Sequence, residues 1–190
     1  VDSRNILKSA ITTFKENLWT IFNSNPEILA SYKISKDDIE EIVITSATEL
    51  EFWVKTPNNI AEIEELHTSQ ALHEQYWTRT KGAVRTAMEE CLLLMDEYGF
   101  EPEMGHKEVG GVKAKLDSSG NFNHIMEQLE IDWKFSDAVQ AADNELFIRI
   151  LIQETFRRNG LEVTFSAKPL EGVAGSGMHT HLGISLKLKN

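Results

Sequence analysis

The stretch Ile42-Val43-Ile44-Thr45-Ser46-Ala47-Thr48-Glu49-Leu50-Glu51-Phe52-Trp53-Val54 alternates β-branched and apolar residues with polar ones and ends at Thr56-Pro57-Asn58-Asn59, a turn signal. Such a run predicts a β-strand over 42–54. Successive strand side chains point to opposite faces, so Glu49 and Glu51, two apart, project the same way. Taken alone, the pair also fits the solvated face of an edge strand.

Working outward, three further stretches place acidic or imidazole groups on predicted strands: His106-Lys107-Glu108, Glu127-Gln128-Leu129-Glu130 and Met178-His179-Thr180-His181. Carboxylates with one or two imidazoles converging on one sheet face suit Mg²⁺ or Mn²⁺, which prefer oxygen ligands. Asp117-Ser118-Ser119-Gly120-Asn121 is a strong turn signal between two of these strands. A hairpin centred on Ser119 sets Glu108 opposite Glu130, where the two carboxylates repel unless a cation lies between them. A helical turn over 123–126 is the alternative that spoils this register.

Helices flank the strands. Ile6, Leu7, Ala10, Ile11, Phe14, Leu18, Ile21 and Phe22 lie on one face of a predicted helix over 2–23, capped by Asp2 or Ser3. Ser35 to Asp38 starts a short second turn. Residues 60–75 read as polar helix and surface connection, and 76–98 and 136–159 as longer helices. Gly99 and Gly160 close those two, and each is followed by a strand, 100–108 and 161–169.

The 190 residues suit one domain with a substantial core. Thirty acidic against nineteen basic residues, net −11, argue against nonspecific nucleic-acid binding, which needs a basic patch. No apolar run approaches a membrane span, and Val1 to Asn5 lacks the apolar core of a signal peptide. The single Cys91 points to a reducing, cytoplasmic compartment. The chain opens at a helix start and stops within strand-like alternation, which reads as a portion of a longer domain. The loop Gly172-Val173-Ala174-Gly175-Ser176-Gly177 matches neither common phosphate-binding glycine pattern, and it precedes a strand.

The order Glu49-x-Glu51-Phe52, His106-x-Glu108-Val109, Glu130-Ile131, then Lys168-Pro169 followed by Gly175-Ser176-Gly177-Met178-His179-x-His181, resembles the catalytic domain of glutamine synthetase. Asp2 to Lys8 looks like the opening of that domain. The resemblance covers about 2–9, 47–53 and 79–188; Phe165 to His181 is its most specific part. It implies an α+β fold, a mainly antiparallel curved sheet with helices packed on its outer face, and residues 1–190 as the N-terminal portion of the domain.

It also implies ATP-dependent ligation of ammonia to glutamate through γ-glutamyl phosphate. Two Mg²⁺ or Mn²⁺ ions are implied: one at Glu51, Glu108 and Glu130, the other at Glu49 and His179 with a further ligand missing. Glu103, Phe135, His181 and Gly183 match positions lining the ATP site, and Ala174 and Gly175 the loop that contacts glutamate. The family usually has asparagine where Ala174 stands and serine where Gly183 stands. The partners implied are glutamate, ammonia and ATP, with a homo-oligomer for the full-length protein. Residues 1–190 alone are expected to be inactive. Ala174 leaves open a γ-glutamyl-amine ligase, and the two substitutions a catalytically silent metal- or nucleotide-binding paralogue.

Overall fold

The computed structural model describes residues 2–57, 59–61, 78–116 and 122–189. In chain order its elements are α1 (Ser3–Ser24), α2 (Pro26–Ala30), a 3₁₀ turn (Lys36–Asp38), β1 (Ile39–Pro57), α3 (Gly82–Glu97), β2 (Pro102–Leu116), β3 (Phe122–Asp137), α4 (Ala138–Arg158), β4 (Glu162–Thr164) and β5 (Met178–Leu188). The strands form one sheet in the order β2-β3-β1-β4, with β5 also paired to β1. β2 with β3 and β1 with β4 run antiparallel. The fold is therefore of the α+β class.

The chain divides into two compact units. One comprises Val1–Ser46, Phe135–Asp143 and His181–Asn190; the other comprises Ala47–Lys134 and Asn144–Thr180. In the first unit, Asp2 caps α1 by accepting from Asn5 N at 2.8 Å, which satisfies one of the open amides of a helix start. The apolar residues Ile11, Leu18, Trp19 and Phe22 of α1 then pack on Ile42, Ile44, Ala138 and Leu186. The 3₁₀ turn falls where the short turn is expected and carries a capping box, with Asp38 accepting from Ser35 N at 2.7 Å.

In the second unit, β1 directs Leu50, Phe52 and Val54 into a core shared with Leu129, Ile131 and Trp133 of β3. Val84, Ala87, Met88, Cys91 and Met95 of α3 and Ile148, Ile152 and Phe156 of α4 close over it. Phe52 and Phe156 meet edge to face at 5.5 Å. Each such fully buried side chain contributes on the order of 1.5–3 kcal/mol. The β1 alternation read from sequence is what divides the sheet into this apolar face and a polar one.

The two helix–glycine–strand junctions are built alike. Gly99 and Gly160 have φ of 78° and 76°. Phe100 N reaches Met95 O at 2.9 Å, and Leu161 N reaches Phe156 O at 3.0 Å. This six-to-one bond closes the helix and turns an apolar residue back onto it. No atom lies within 4 Å of a Cβ built on Gly99, so only backbone strain opposes a side chain there. Gly99→Ala is expected to cost about 1–2 kcal/mol, seen as a lower urea midpoint at unchanged slope.

Several expectations are corrected. α3 starts at Gly82, not at residue 76, because Lys81 is extended (φ −131°, ψ 167°) and Gly82 has φ 54°. The strand expected over 161–169 is regular only from Glu162 to Thr164. Thr164 Oγ1 accepts from Ser166 N at 3.1 Å there, and Pro169 has no amide to extend the ladder. α2 is an added helix that begins with proline at its first position, where the missing N–H costs nothing. The readings on 62–77 and on the turn 117–121 lie outside the described residues.

Candidate metal centre

On β1 the residues alternating with the core set are Glu49, Glu51 and Trp53; on β3 they are Gln128, Glu130 and Asp132. By strand parity both sets belong to the face opposite the helices. The β2–β3 register brings β2 onto that face in an unexpected way. Near the turn, Val112 pairs with Met126 and Lys113 with Ile125, as the hairpin centred on Ser119 requires. Irregularities between Lys107 and Val109 and between Val109 and Val112 then slip the register, so that His106, not Glu108, stands opposite Glu130. Glu108 is an extra residue in the bulge, and bulges re-aim side chains.

The outcome is a close acidic group: ligand atoms of Glu51, Glu108 and Glu130 lie within 4.8 Å of one another. A second set sharing Glu130 comprises His106, Glu130 and Asp132. His106 Nε2 lies 3.1 Å from Glu130 Oε1, and its Nδ1 lies 3.2 Å from Lys107 O and 3.6 Å from Glu108 Oε2. These neighbours favour the charged form of the ring. Burial opposes that charge, but the Glu130 hydrogen bond, the Lys107 carbonyl and the charges of Glu130 and Glu108 outweigh it and raise the His106 pKa.

The carboxylates are poised for neutralisation. Burial, then the charge of Glu130, pushes Glu108 up to about 7. The same two causes push Asp132 up to about 6. Asp132 Oδ1 is buried without a hydrogen-bond partner among the described residues. An all-oxygen set of three crowded carboxylates, Glu51, Glu108 and Glu130, has the chemistry of a Mg²⁺ or Mn²⁺ site. On the core side, Lys107 and Glu127 form a separate buried ion pair at 2.6 Å, so Glu127 is not on the acidic face.

Glu51 is held from two sides. Its Oε2 accepts from Gly177 N at 2.9 Å and from Gln128 Nε2 at 2.8 Å, and its own N–H donates to Gly177 O at 3.2 Å. Beside it, Glu49 Oε2 lies 3.2 Å from His179 Nδ1. This second pair is separate from the three-carboxylate group and more open, with the His179 side chain 70% exposed.

The glutamine synthetase catalytic-domain model matches residues 1–190. The chain belongs to the glutamine synthetase catalytic-domain family. It is 34% identical to the glutamine synthetase of Clostridium saccharobutylicum over 104 residues, 55% of this chain and 20% of that protein. Against the Thermus thermophilus glutamine synthetase the identity is 37% over 86 residues, 45% and 16% of the two chains. The chain thus matches about a fifth or less of the length of these relatives. Among solved structures, ligand-free GmaS aligns with a TM-score of 0.56 at 23% identity, covering 77% of this chain and 31% of that one. A glutamine synthase homolog aligns at 0.56 and 20% identity, covering 88% and 32%. At such identities these two speak to the fold.

The remaining positions nominated from the glutamine synthetase resemblance are distributed as follows. Glu103 is exposed on β2, near enough that its charge bears on Asp132. Ala174 is partly buried against the cluster of Trp53, Val109 and Met126. Gly175 carries its carbonyl 2.9 Å from Gln128 Nε2, and a Cβ on it would stand 2.4 Å from Ala167 O, so no other residue fits without moving the loop. Phe135, His181 and Gly183 fall in the first unit. Phe135 is exposed, and a Cβ on Gly183 would stand 2.5 Å from Thr45 Oγ1. Thr45 therefore accounts sterically for glycine where glutamine synthetases usually carry serine. Sequence reasoning passed over Gln128 and Asp132, although both share the parity of Glu130 on β3.

Proposed function

We propose that the protein is an ATP-dependent glutamate–ammonia ligase of the glutamine synthetase kind, residues 1–190 forming the N-terminal portion of its catalytic domain. The observation that carries this reading is the convergence of Glu51, Glu108 and Glu130 within 4.8 Å on the polar sheet face. Those three carboxylates hold one Mg²⁺ or Mn²⁺, and Glu49 with His179 contributes to a second. When bound, such cations neutralise charge that develops in phosphoryl transfer. His106 orients Glu130 through its Nε2 hydrogen bond, and the Gly175 loop faces the acid substrate. Glu103, Phe135, His181 and Gly183 are assigned to ATP. No side chain of the set acts as a nucleophile, because phosphate is transferred to the γ-carboxylate of glutamate, giving γ-glutamyl phosphate, which ammonia then attacks. We take the protein to be cytoplasmic and homo-oligomeric at full length. Because the chain spans a fifth of its relatives' length, residues 1–190 alone are taken to be inactive. Among the described residues no helix is long and apolar enough to cross a membrane.

A second reading, a γ-glutamyl-amine ligase of the same fold, has one observation in its favour: Ala174 meets apolar neighbours and carries no amide to read the substrate. Phosphate release by the full-length protein, with ATP and Mg²⁺, separates the readings. Release that requires both glutamate and ammonium supports the first. Release with glutamate only when an alkylamine replaces ammonium supports the second. Release with neither, under conditions where Mn²⁺ still binds, contradicts both and leaves a silent binding module.

A further inference from the structure

Gln128 is fully buried on β3 and stands between the cation-facing carboxylate and the glycine loop. Its Nε2 donates to Glu51 Oε2 at 2.8 Å and to Gly175 O at 2.9 Å. A carboxylate and a carbonyl only accept, so the amide has one workable orientation. Gly177 N donates to the same Glu51 Oε2 at 2.9 Å, and Ser176 N donates to Ala167 O at 3.1 Å. With the Glu51 N–H to Gly177 O bond, these contacts join β1, β3 and the loop 175–177 into one hydrogen-bonded body. They use one oxygen of Glu51 and leave Oε1 without a hydrogen bond among the described residues.

We propose that Gln128 is a positioning residue: it fixes Glu51 so that Oε1 faces the cation, and through Gly175 it ties that carboxylate to the loop, coupling cation binding to binding of the acid substrate. The second half rests on the function proposed above; the hold on Glu51 does not. Side chains that orient a metal's ligands typically set about 10–100-fold in metal affinity. Methionine matches glutamine in length but donates nothing, whereas glutamate keeps the shape and sets a second charge against Glu51.

The test is Mn²⁺ titration of the purified protein, followed by electron paramagnetic resonance with and without glutamate, for the wild type, Gln128→Met, Gln128→Glu and Glu130→Ala. Circular dichroism is run on each, and the glutamate variant serves if the methionine variant does not fold. The expected result is Mn²⁺ binding about 10–100-fold weaker in a folded Gln128 variant, with the mutual strengthening of Mn²⁺ and glutamate binding removed. Wild-type Mn²⁺ affinity in both Gln128 variants, alongside loss in Glu130→Ala, overturns the proposal and spares the metal centre. Weaker Mn²⁺ with the glutamate effect intact overturns the coupling. If Glu130→Ala also binds as the wild type does, the metal centre itself fails, and Gln128 with it.

Discussion

Glu130→Ala is expected to weaken Mn²⁺ binding by more than about 100-fold, beyond what is typical for groups that merely orient a ligand. Glu130 is the residue common to both ligand sets of the centre, and its side chain is only 10% exposed. Glu51, the ligand opposite it, is held by Gly177 and Gln128 and is not free to move into its place. The same change removes the hydrogen-bond partner of His106 Nε2 and the first-ranked charge that, after burial itself, raises the pKa values of Glu108 and Asp132. The loss of Mn²⁺ should therefore come with a lower His106 pKa, readable by NMR titration. Unchanged Mn²⁺ affinity with a shifted His106 would separate the electrostatic role of Glu130 from any metal role.

Glu108→Gln is expected to act with opposite signs on cation binding and on stability. In the cation-free protein Glu108 titrates near 7 rather than near the ordinary 4.5. Between those values the folded state holds more protons than the unfolded state, so stability falls as pH rises through the window, and above pH 7 the whole penalty is present. Glutamine removes the charge and with it the penalty. Discounted for solvent screening of a partly exposed group, the gain at pH 8 is about 1 kcal/mol, or roughly 2–4 °C in melting midpoint for a chain of this size. The gain should vanish below pH 4.5, where both states of the native protein are protonated there. Mn²⁺ affinity should fall by about 100-fold or more. Thermal melts at pH 4.5 and 8, each with and without Mn²⁺, read both signs. A variant less stable than the wild type at pH 8 without cation would contradict the crowding of Glu108 by Glu130.

Much of this was legible in the residues. The alternation of 42–54 predicts both the strand and its two faces, since every second residue from Leu50 to Val54 meets the helices. Gly99 and Gly160 mark helix ends because few other residues accept their φ. The register was half legible: turn chemistry sets the pairing near Ser119, but a bulge arises from packing across the sheet, which composition does not carry. Lys107 illustrates the cause. A lysine is ordinarily exposed, yet this one is buried with Glu127, beside the point where Glu108 leaves the ladder. Gln128 escaped notice for a different reason. An amide in a strand carries no distinctive spacing, and its role exists only where loop 175–177 returns to Glu51, some 120 residues away in sequence.

The most direct test of the metal centre is Mn²⁺ anomalous scattering from crystals of the protein grown with the ion. The predicted result is a peak in contact with oxygens of Glu51, Glu108 and Glu130 together, lost in Glu130→Ala. A peak bounded by His106 and Asp132 without Glu51, or no peak at saturating Mn²⁺, would contradict it.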